Sequence, residues 1–213
     1  MQLFLDTANL DEIREAADMG LIDGVTTNPS LMAKESGDPA GIIREICSIV
    51  DGPVSAEILS TEFEEMLKEA TAVAKWHPNV VVKVPLTADG LKTVHRLSPQ
   101  GVRFNVTLCF SLAQALLAAK VGAAYVSPFV GRWDDIDTPG IELIPDMVQM
   151  FDQHGFETQI LVASVRSPLH VSQAALVGAD VATLPLKVLK QMIGHPLTDI
   201  GLAKFLADAR GKN

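Results

Sequence analysis

Short apolar runs rich in Val, Ile and Leu alternate with longer amphipathic stretches along the whole chain. The runs at 3–6, 24–27, 54–58, 80–84, 103–107, 124–127, 159–165 and 181–184 have the length and β-branched content of strands. Stretches between them, among them 10–19, 41–50, 61–76, 111–121 and 141–154, space their apolar residues as helices do. Strand followed by helix, about eight times over, predicts parallel strands joined by helical crossovers. The fold class expected is therefore α/β. A doubly wound open sheet usually has about five or six strands, so the longer count favours a closed (β/α)8 TIM barrel.

Two segments break this rhythm. Residues 131–140 carry Arg132, Asp134, Asp135 and Asp137 and are expected to form a polar loop. After the last strand, Gly194-His195-Pro196 stops one helix, and Thr198 is placed to cap another over 198–209, with Ile200, Leu202, Phe205 and Leu206 apolar. A barrel closes without that extra C-terminal helix. It either folds over the barrel's own end or packs on a neighbouring subunit. No linker or low-complexity segment interrupts the chain, so 1–213 is expected to be a single domain.

Composition narrows the partners. The 213 residues suit one domain, and 48% hydrophobic content supplies a core that, with 5% aromatics, must be mainly aliphatic. A formal charge of −9 repels nucleic acid, and a phosphorylated substrate would need local cations to hold it. Cys47 and Cys109 make no disulfide framework and are expected to be reduced, buried thiols in a cytoplasmic protein. The start of the chain lacks a basic, apolar leader, and no stretch approaches the ~20 apolar residues of a membrane span, so no membrane partner is expected. Dinucleotide, Walker and zinc-protease motifs are absent, and the five histidines lack metal-ligand spacing. Neither a cofactor nor a metal is expected.

Alternate residues of a strand face opposite sides, and barrels of this class carry their chemistry at the C-terminal strand ends. The last inward positions then read Asp6 from strand one, Thr26 and Asn28 from strand two, Glu57 from strand three and Lys83 from strand four. Strand five gives Asn105 and Thr107, strand six Ser127, and strand seven Ser164 and Arg166. A purely structural core would not gather so many polar groups at one mouth.

Lys83 sits in Asn79-Val-Val-Val-Lys-Val-Pro-Leu, where almost every other residue is apolar. A buried ammonium must be paired or deprotonated. It is either bridged to Asp6 or Glu57 without chemistry, or it is a nucleophilic amine able to form an imine with a ketone. Asp6 and Glu57 are the carboxylates placed to move protons beside it, although Asp6 also fits a turn into the first helix. Arg132 and Arg166, with Ser164 and Ser167 nearby, are candidates for a phosphate clamp.

These residues lie in motifs that resemble a known family. Phe4-Leu5-Asp6-Thr7-Ala8, Gly24-Val-Thr-Thr-Asn-Pro-Ser, Val81-Val-Lys-Val-Pro, Ala124-Tyr-Val-Ser-Pro-Phe-Val-Gly-Arg and Ala163-Ser-Val-Arg-Ser are similar, in order, to those of the small transaldolases and fructose 6-phosphate aldolases. The likeness runs from residue 3 to about 209. It implies a (β/α) barrel in which Lys83 forms the Schiff base, Asp6 manages protons, and Glu57 with Thr107 positions a water. Asn28, Asn105, Ser127, Thr26 and Phe129 would contact the ketose, and Arg132, Ser164 and Arg166 its phosphate.

Within the family, the aldolase branch carries Gln where Glu57 stands and Tyr where Phe129 stands, and it lacks the Asn105 and Thr107 pair. All these positions side with the transaldolase branch, whereas Trp133 and the Asp137-Thr-Pro-Gly segment depart from its usual pattern. The implied reaction is cofactor-free transfer of a dihydroxyacetone unit in the pentose phosphate pathway. Sedoheptulose 7-phosphate and glyceraldehyde 3-phosphate would give erythrose 4-phosphate and fructose 6-phosphate. The alternatives are a fructose 6-phosphate aldolase and a non-catalytic sugar-phosphate-binding barrel. Family members are commonly ring pentamers or decamers with the last helix exchanged between neighbours, so a homo-oligomer is expected.

Overall fold

A computed structural model describes residues 1–211. The chain opens with β1 (Gln2–Asp6), α1 (Leu10–Asp18), β2 (Gly24–Thr26), the one-turn α2 (Pro29–Met32) and α3 (Pro39–Ile49). There follow β3 (Val54–Glu57), α4 (Phe63–Val73), β4 (Val80–Pro85) and α5 (Ala88–Leu97). Next come β5 (Phe104–Cys109), α6 (Leu112–Lys120), β6 (Tyr125–Pro128), the short α7 (Val130–Asp134) and α8 (Leu143–His154). The order ends with β7 (Gln159–Val162), α9 (Pro168–Leu176), β8 (Val181–Leu184), α10 (Leu186–Ile193) and α11 (Pro196–Arg210).

Each strand pairs in parallel with the next, and β8 returns to β1, so the sheet closes. The fold is the (β/α)8 barrel with an added C-terminal helix that the sequence predicts. Local signals set the turns. Asn9, Asp38, Thr87, Ser111 and Ser167 each accept a backbone N–H in the first turn of the helix that follows, with Pro39 and Pro168 in the opening turns of α3 and α9.

Strand alternation then builds two separate cores. Outward residues such as Leu5, Val25, Val82, Val106 and Val162 meet Ile13, Ile46, Met66 and Met147 of the helices in one continuous layer. Inward, Phe4, Val81, Tyr125, Leu161 and Val181 form a second cluster inside the barrel, with Phe4 edge-on to Tyr125 at 6.1 Å between ring centroids. Each such side chain contributes about 1.5–3 kcal/mol on burial. Two residues further along the same faces stand Asp6, Lys83, Ser127, Ala163 and Thr183. The barrel thus has an apolar floor and a largely polar upper layer.

Three expectations are corrected. Part of the supposed 131–140 loop is helical, because Val130 is buried, its N–H bonds the Ala163 carbonyl at 3.1 Å, and Trp133 meets the Phe110 ring at 6.3 Å. Strand β7 stops at Val162, short of 165, since Ser164 turns the chain at a φ of 59°. His195, rather than Thr198, caps the last helix: its Nδ1 accepts the Leu197 N–H at 3.1 Å, and Pro196 takes the first helical position. None of α11's residues is buried. Among the described residues no helix is long and apolar enough to cross a membrane.

Gly24 shows how tight the floor is. A Cβ there would lie 2.6 Å from the Pro53 carbonyl oxygen and 2.7 Å from the Phe4 ring. Gly24→Ala is expected to lower unfolding free energy by about 1–3 kcal/mol. The check is the urea midpoint, and an unchanged midpoint would mean that the floor yields easily.

Candidate active site

Register brings the upper-layer side chains together. Parallel pairing sets Glu57 beside Lys83 and Lys83 beside Asn105, while Asp6 stands beside Thr26. Asp6, Thr26, Lys83 and Asn105 surround a pocket of about 200 Å³ lined also by Asn28, Thr107, Ser127, Phe129, Arg132, Ser164 and Arg166. Of the residues singled out from sequence, Glu57 and Ser167 do not line this pocket, Ser167 being used to cap α9. Glu57 reaches the site through Lys83, with its Oε2 3.0 Å from Lys83 Nζ. Its other side helps line a neighbouring cavity of about 460 Å³ walled by Met32, Ile43 and Trp76.

Lys83 is 6% exposed. Besides Glu57, its Nζ has one further hydrogen bond, to the Thr27 carbonyl at 3.1 Å. A buried ammonium without such partners would cost several kcal/mol. Asp6 is also enclosed, and burial is the main influence on it, pushing its carboxyl above its usual range. The Thr26 hydroxyl donates to Asp6 Oδ1 at 2.8 Å, and this bond and the Lys83 charge pull the other way without reversing the shift. The turn reading of Asp6 fails, because Asn9 caps α1.

The neutral polar groups are held unequally. Asn105 donates from Nδ2 to Ser55 Oγ at 3.1 Å and accepts at Oδ1 from Ser127 at 2.7 Å. Asn28 Oδ1 is used to cap α2 by accepting the Leu31 N–H at 3.0 Å, which leaves its amide for the pocket. Thr107 Oγ1 is buried with no hydrogen-bond partner. Immediately beyond it, β5 carries a register shift and Leu108 has a φ of 62°, so the strand kinks at the rim.

The two arginines stand differently. Arg132 lies over the Phe129 ring, 4.9 Å from its centroid. Arg166 donates from Nη2 to Asp135 Oδ2 at 2.8 Å, both side chains being more than half exposed. Its stem crosses Gly131, where a Cβ would come within 2.8 Å of it. A pair so exposed is worth at most about 1 kcal/mol. The arrangement offers an amine with an adjacent proton acceptor, a second carboxylate across the pocket, and guanidinium groups at the rim. That combination can form an imine on a phosphorylated ketone.

The Transaldolase/Fructose-6-phosphate aldolase family matches residues 3–211. The chain belongs to that family. It is 59% identical over 208 residues to a probable transaldolase of Thermodesulfovibrio yellowstonii, covering 98% of this chain and 97% of that protein. Probable transaldolases of Moorella thermoacetica and Clostridioides difficile are 58% and 57% identical, over 98% and 99% of this chain and 97% and 98% of their own lengths. Among solved structures, the flavin-binding domain of baker's yeast flavocytochrome b2 aligns with a TM-score of 0.62 at 14% identity. That alignment covers 87% of this chain and 56% of the other, and it speaks for the barrel fold alone.

Within this member of the transaldolase/aldolase family, sequence reasoning passed over three participants. Ser55 and Thr183 are inward-facing, buried and hydrogen-bonded into the upper layer. Strand alternation carries their signal, because Ser55 precedes Glu57 by two positions and Thr183 is the polar residue of an otherwise apolar strand. Asp135 has the sequence signature of loop charge, and nothing local marks it as the partner of Arg166.

The raised Asp6 carboxyl has a consequence for stability. A group whose native value lies above its unfolded one adds stability at low pH and loses it as pH climbs through the native value. Once ionised, the enclosed carboxylate is therefore a net cost to the fold. Asp6→Asn is expected to raise Tm at pH 7–8, with the gain shrinking as pH falls toward the ordinary value of 3.8. Thermal melts across that range check it, and a variant less stable at pH 8 would contradict the burial argument.

Proposed function

We propose that the protein is a transaldolase that carries a dihydroxyacetone unit on Lys83. The observation that carries this reading is the buried Lys83 amine, 3.0 Å from a carboxylate and opening into a pocket with Asp6 on its wall. The Lys83 ammonium passes a proton to Glu57, and the amine adds to the ketone of a sugar phosphate such as fructose 6-phosphate. A C–N bond forms, and the carbonyl oxygen leaves as water with the proton returned from Glu57, giving an iminium. Thr107, whose hydroxyl lacks a protein partner, is the group left to hold that water.

Asp6 then takes the proton of the hydroxyl at C4, the C3–C4 bond breaks, and its electrons flow into the iminium to leave an enamine. The aldose phosphate departs. An incoming aldehyde phosphate accepts the enamine carbon, Asp6 returns the proton, and hydrolysis frees the new ketose and the amine. Asn28, Thr26, Asn105, Ser127 and Phe129 are assigned to the ketose, and Arg132, Ser164 and Arg166 to phosphate. To reach Arg166 the phosphate must displace or share with Asp135, a weak competitor at that exposure.

We also propose one domain over 1–213 and a cytoplasmic homo-oligomer, pentamer or decamer, acting in the pentose phosphate pathway. Support for the assembly comes from α11, where Leu197, Ile200, Leu202, Phe205 and Leu206 are all about half exposed or more. Apolar side chains in such number on an uncovered helix favour a neighbouring copy over water. Support for the cytoplasm comes from Cys47 and Cys109, both free and buried, with burial pushing each thiol up to about 11.

Incubation with fructose 6-phosphate and borohydride should fix a reduced sugar adduct on the wild type and none on Lys83→Ala. An adduct at wild-type levels on the variant would remove Lys83 from its role, and none on the wild type would favour a non-catalytic sugar-phosphate barrel. Release of glyceraldehyde 3-phosphate from fructose 6-phosphate should be sustained only when erythrose 4-phosphate is supplied. Equal turnover without it would make the protein an aldolase and strip Glu57 and Phe129 of their value as branch markers.

A further inference from the structure

Three hydroxyl and carboxyl groups form a buried chain across the seam where the barrel closes. Thr183 Oγ1 of β8 lies 2.6 Å from Thr26 Oγ1 of β2, and Thr26 Oγ1 lies 2.8 Å from Asp6 Oδ1 of β1. Thr26 and Thr183 are 2% and 3% exposed, so water does not compete freely for either. An ionised carboxylate only accepts hydrogen bonds, and a threonine hydroxyl has one proton to give. Thr26 therefore spends its proton on Asp6, and the short contact to Thr183 can be filled only by the Thr183 proton.

We propose that Thr183 is a positioning residue for Asp6, one that by donating to Thr26 fixes Thr26 as donor to the carboxylate. The inference rests on the transaldolase reading only for what Asp6 does with its proton. When Asp6 is protonated, the chain can reverse, with Asp6 donating to Thr26 and Thr26 to Thr183. Its polarity thus follows the proton that the reaction moves. Chains of this kind reinforce each bond, so the Thr183 donor strengthens the Thr26–Asp6 contact beyond what Thr26 alone supplies.

Charged neighbours do not replace it. Lys83 from β4 acts on Asp6 through space, with Glu57 from β3 beyond it, and Arg132 and Arg166 line the same pocket. The strands flanking Asp6 bring Thr26 and Thr183 to this chain, and Glu12 of α1 is turned away to the Thr7 hydroxyl at 2.6 Å. Loss of the Thr183 donor leaves Thr26 a weaker partner for the anion, and Asp6 then keeps its proton to higher pH.

The test compares wild type with Thr183→Val, Thr183→Ala and Thr183→Ser by NMR titration of ¹³C-labelled aspartate carboxyls and by the pH profile of kcat/KM. In the Val and Ala variants the Asp6 midpoint and the acid limb of activity should both rise by about 0.5–1 pH unit. Turnover at a fixed pH on that acid limb should fall roughly three- to tenfold, while borohydride trapping of the ketose stays near wild type. Ser, which retains the hydroxyl, should restore both curves. Wild-type titration in Val or Ala, or a Ser variant displaced as far as they are, overturns the proposal. If Val does not fold, Ala and Ser decide it. A wild type without sugar-phosphate turnover sinks the transaldolase reading but leaves the carboxyl titration to judge Thr183.

Discussion

A single ammonium, Lys83, sits 6% exposed near the end of a strand whose neighbouring residues are valines and a proline. Water cannot solvate it there, so the fold must supply its partners, and the cost of failing is several kcal/mol. The supply comes from chain geometry. Parallel register sets Glu57 one strand away, and the Thr27 carbonyl just past β2 accepts from Nζ. A buried pair of this kind is a poor device for stability, since well-packed apolar residues would serve as well or better. Its presence in an otherwise economical barrel is an argument for chemistry.

The floor beneath makes that arrangement possible. Phe4, Val81, Tyr125, Leu161 and Val181 fill the interior with side chains that have no alternative use, and Gly24 gives the Phe4 ring its space. Position two residues further on is then the upper layer by necessity of the pleat. The strands can therefore vary their last inward residue without unmaking the core, which lies mainly outside the barrel against the helices. Floor, outer core and mouth are three independent layers, and only the mouth carries charge.

Much of this was legible in the residues. Eight apolar runs separated by amphipathic stretches dictated the closed barrel, because periodicity and cap residues act over a few positions and are written locally. Lys83, Asp6 and Glu57 were legible because charge in apolar strands is conspicuous. What escaped was non-local or chemically ambivalent. Threonine suits a strand by shape alone, so Thr183 announces nothing until closure brings it to Thr26, 157 residues away. Asp135 looks like solvated loop charge until α7 forms and meets Arg166. The helix itself was obscured by polar composition, although Val130 and Trp133 anchor it. The side of Glu57 that faces a second cavity rather than the main pocket follows from side-chain geometry that alternation does not encode.

The two ends of the pocket differ in a way that bears on transfer. At the Lys83 end most groups are enclosed and tied together, Thr183 and Asp6 through Thr26, Ser127 through Asn105 to Ser55, and Lys83 to Glu57. At the Arg166 end, the one proposed for phosphate, the guanidinium is half in water and already holds a carboxylate, on a chain of net charge −9. Under the transaldolase reading the first end must not move while an enamine waits, since a stray proton delivered there would end the cycle as an aldolase. The second end must let one phosphate go and admit another in the same turnover. An exposed guanidinium with a resident anion exchanges ligands at little cost, because each departure is met by the return of Asp135. Rigidity where the carbon chain is held covalently, and loose ionic grip where it is not, is the division of labour that a transferase of phosphorylated sugars requires.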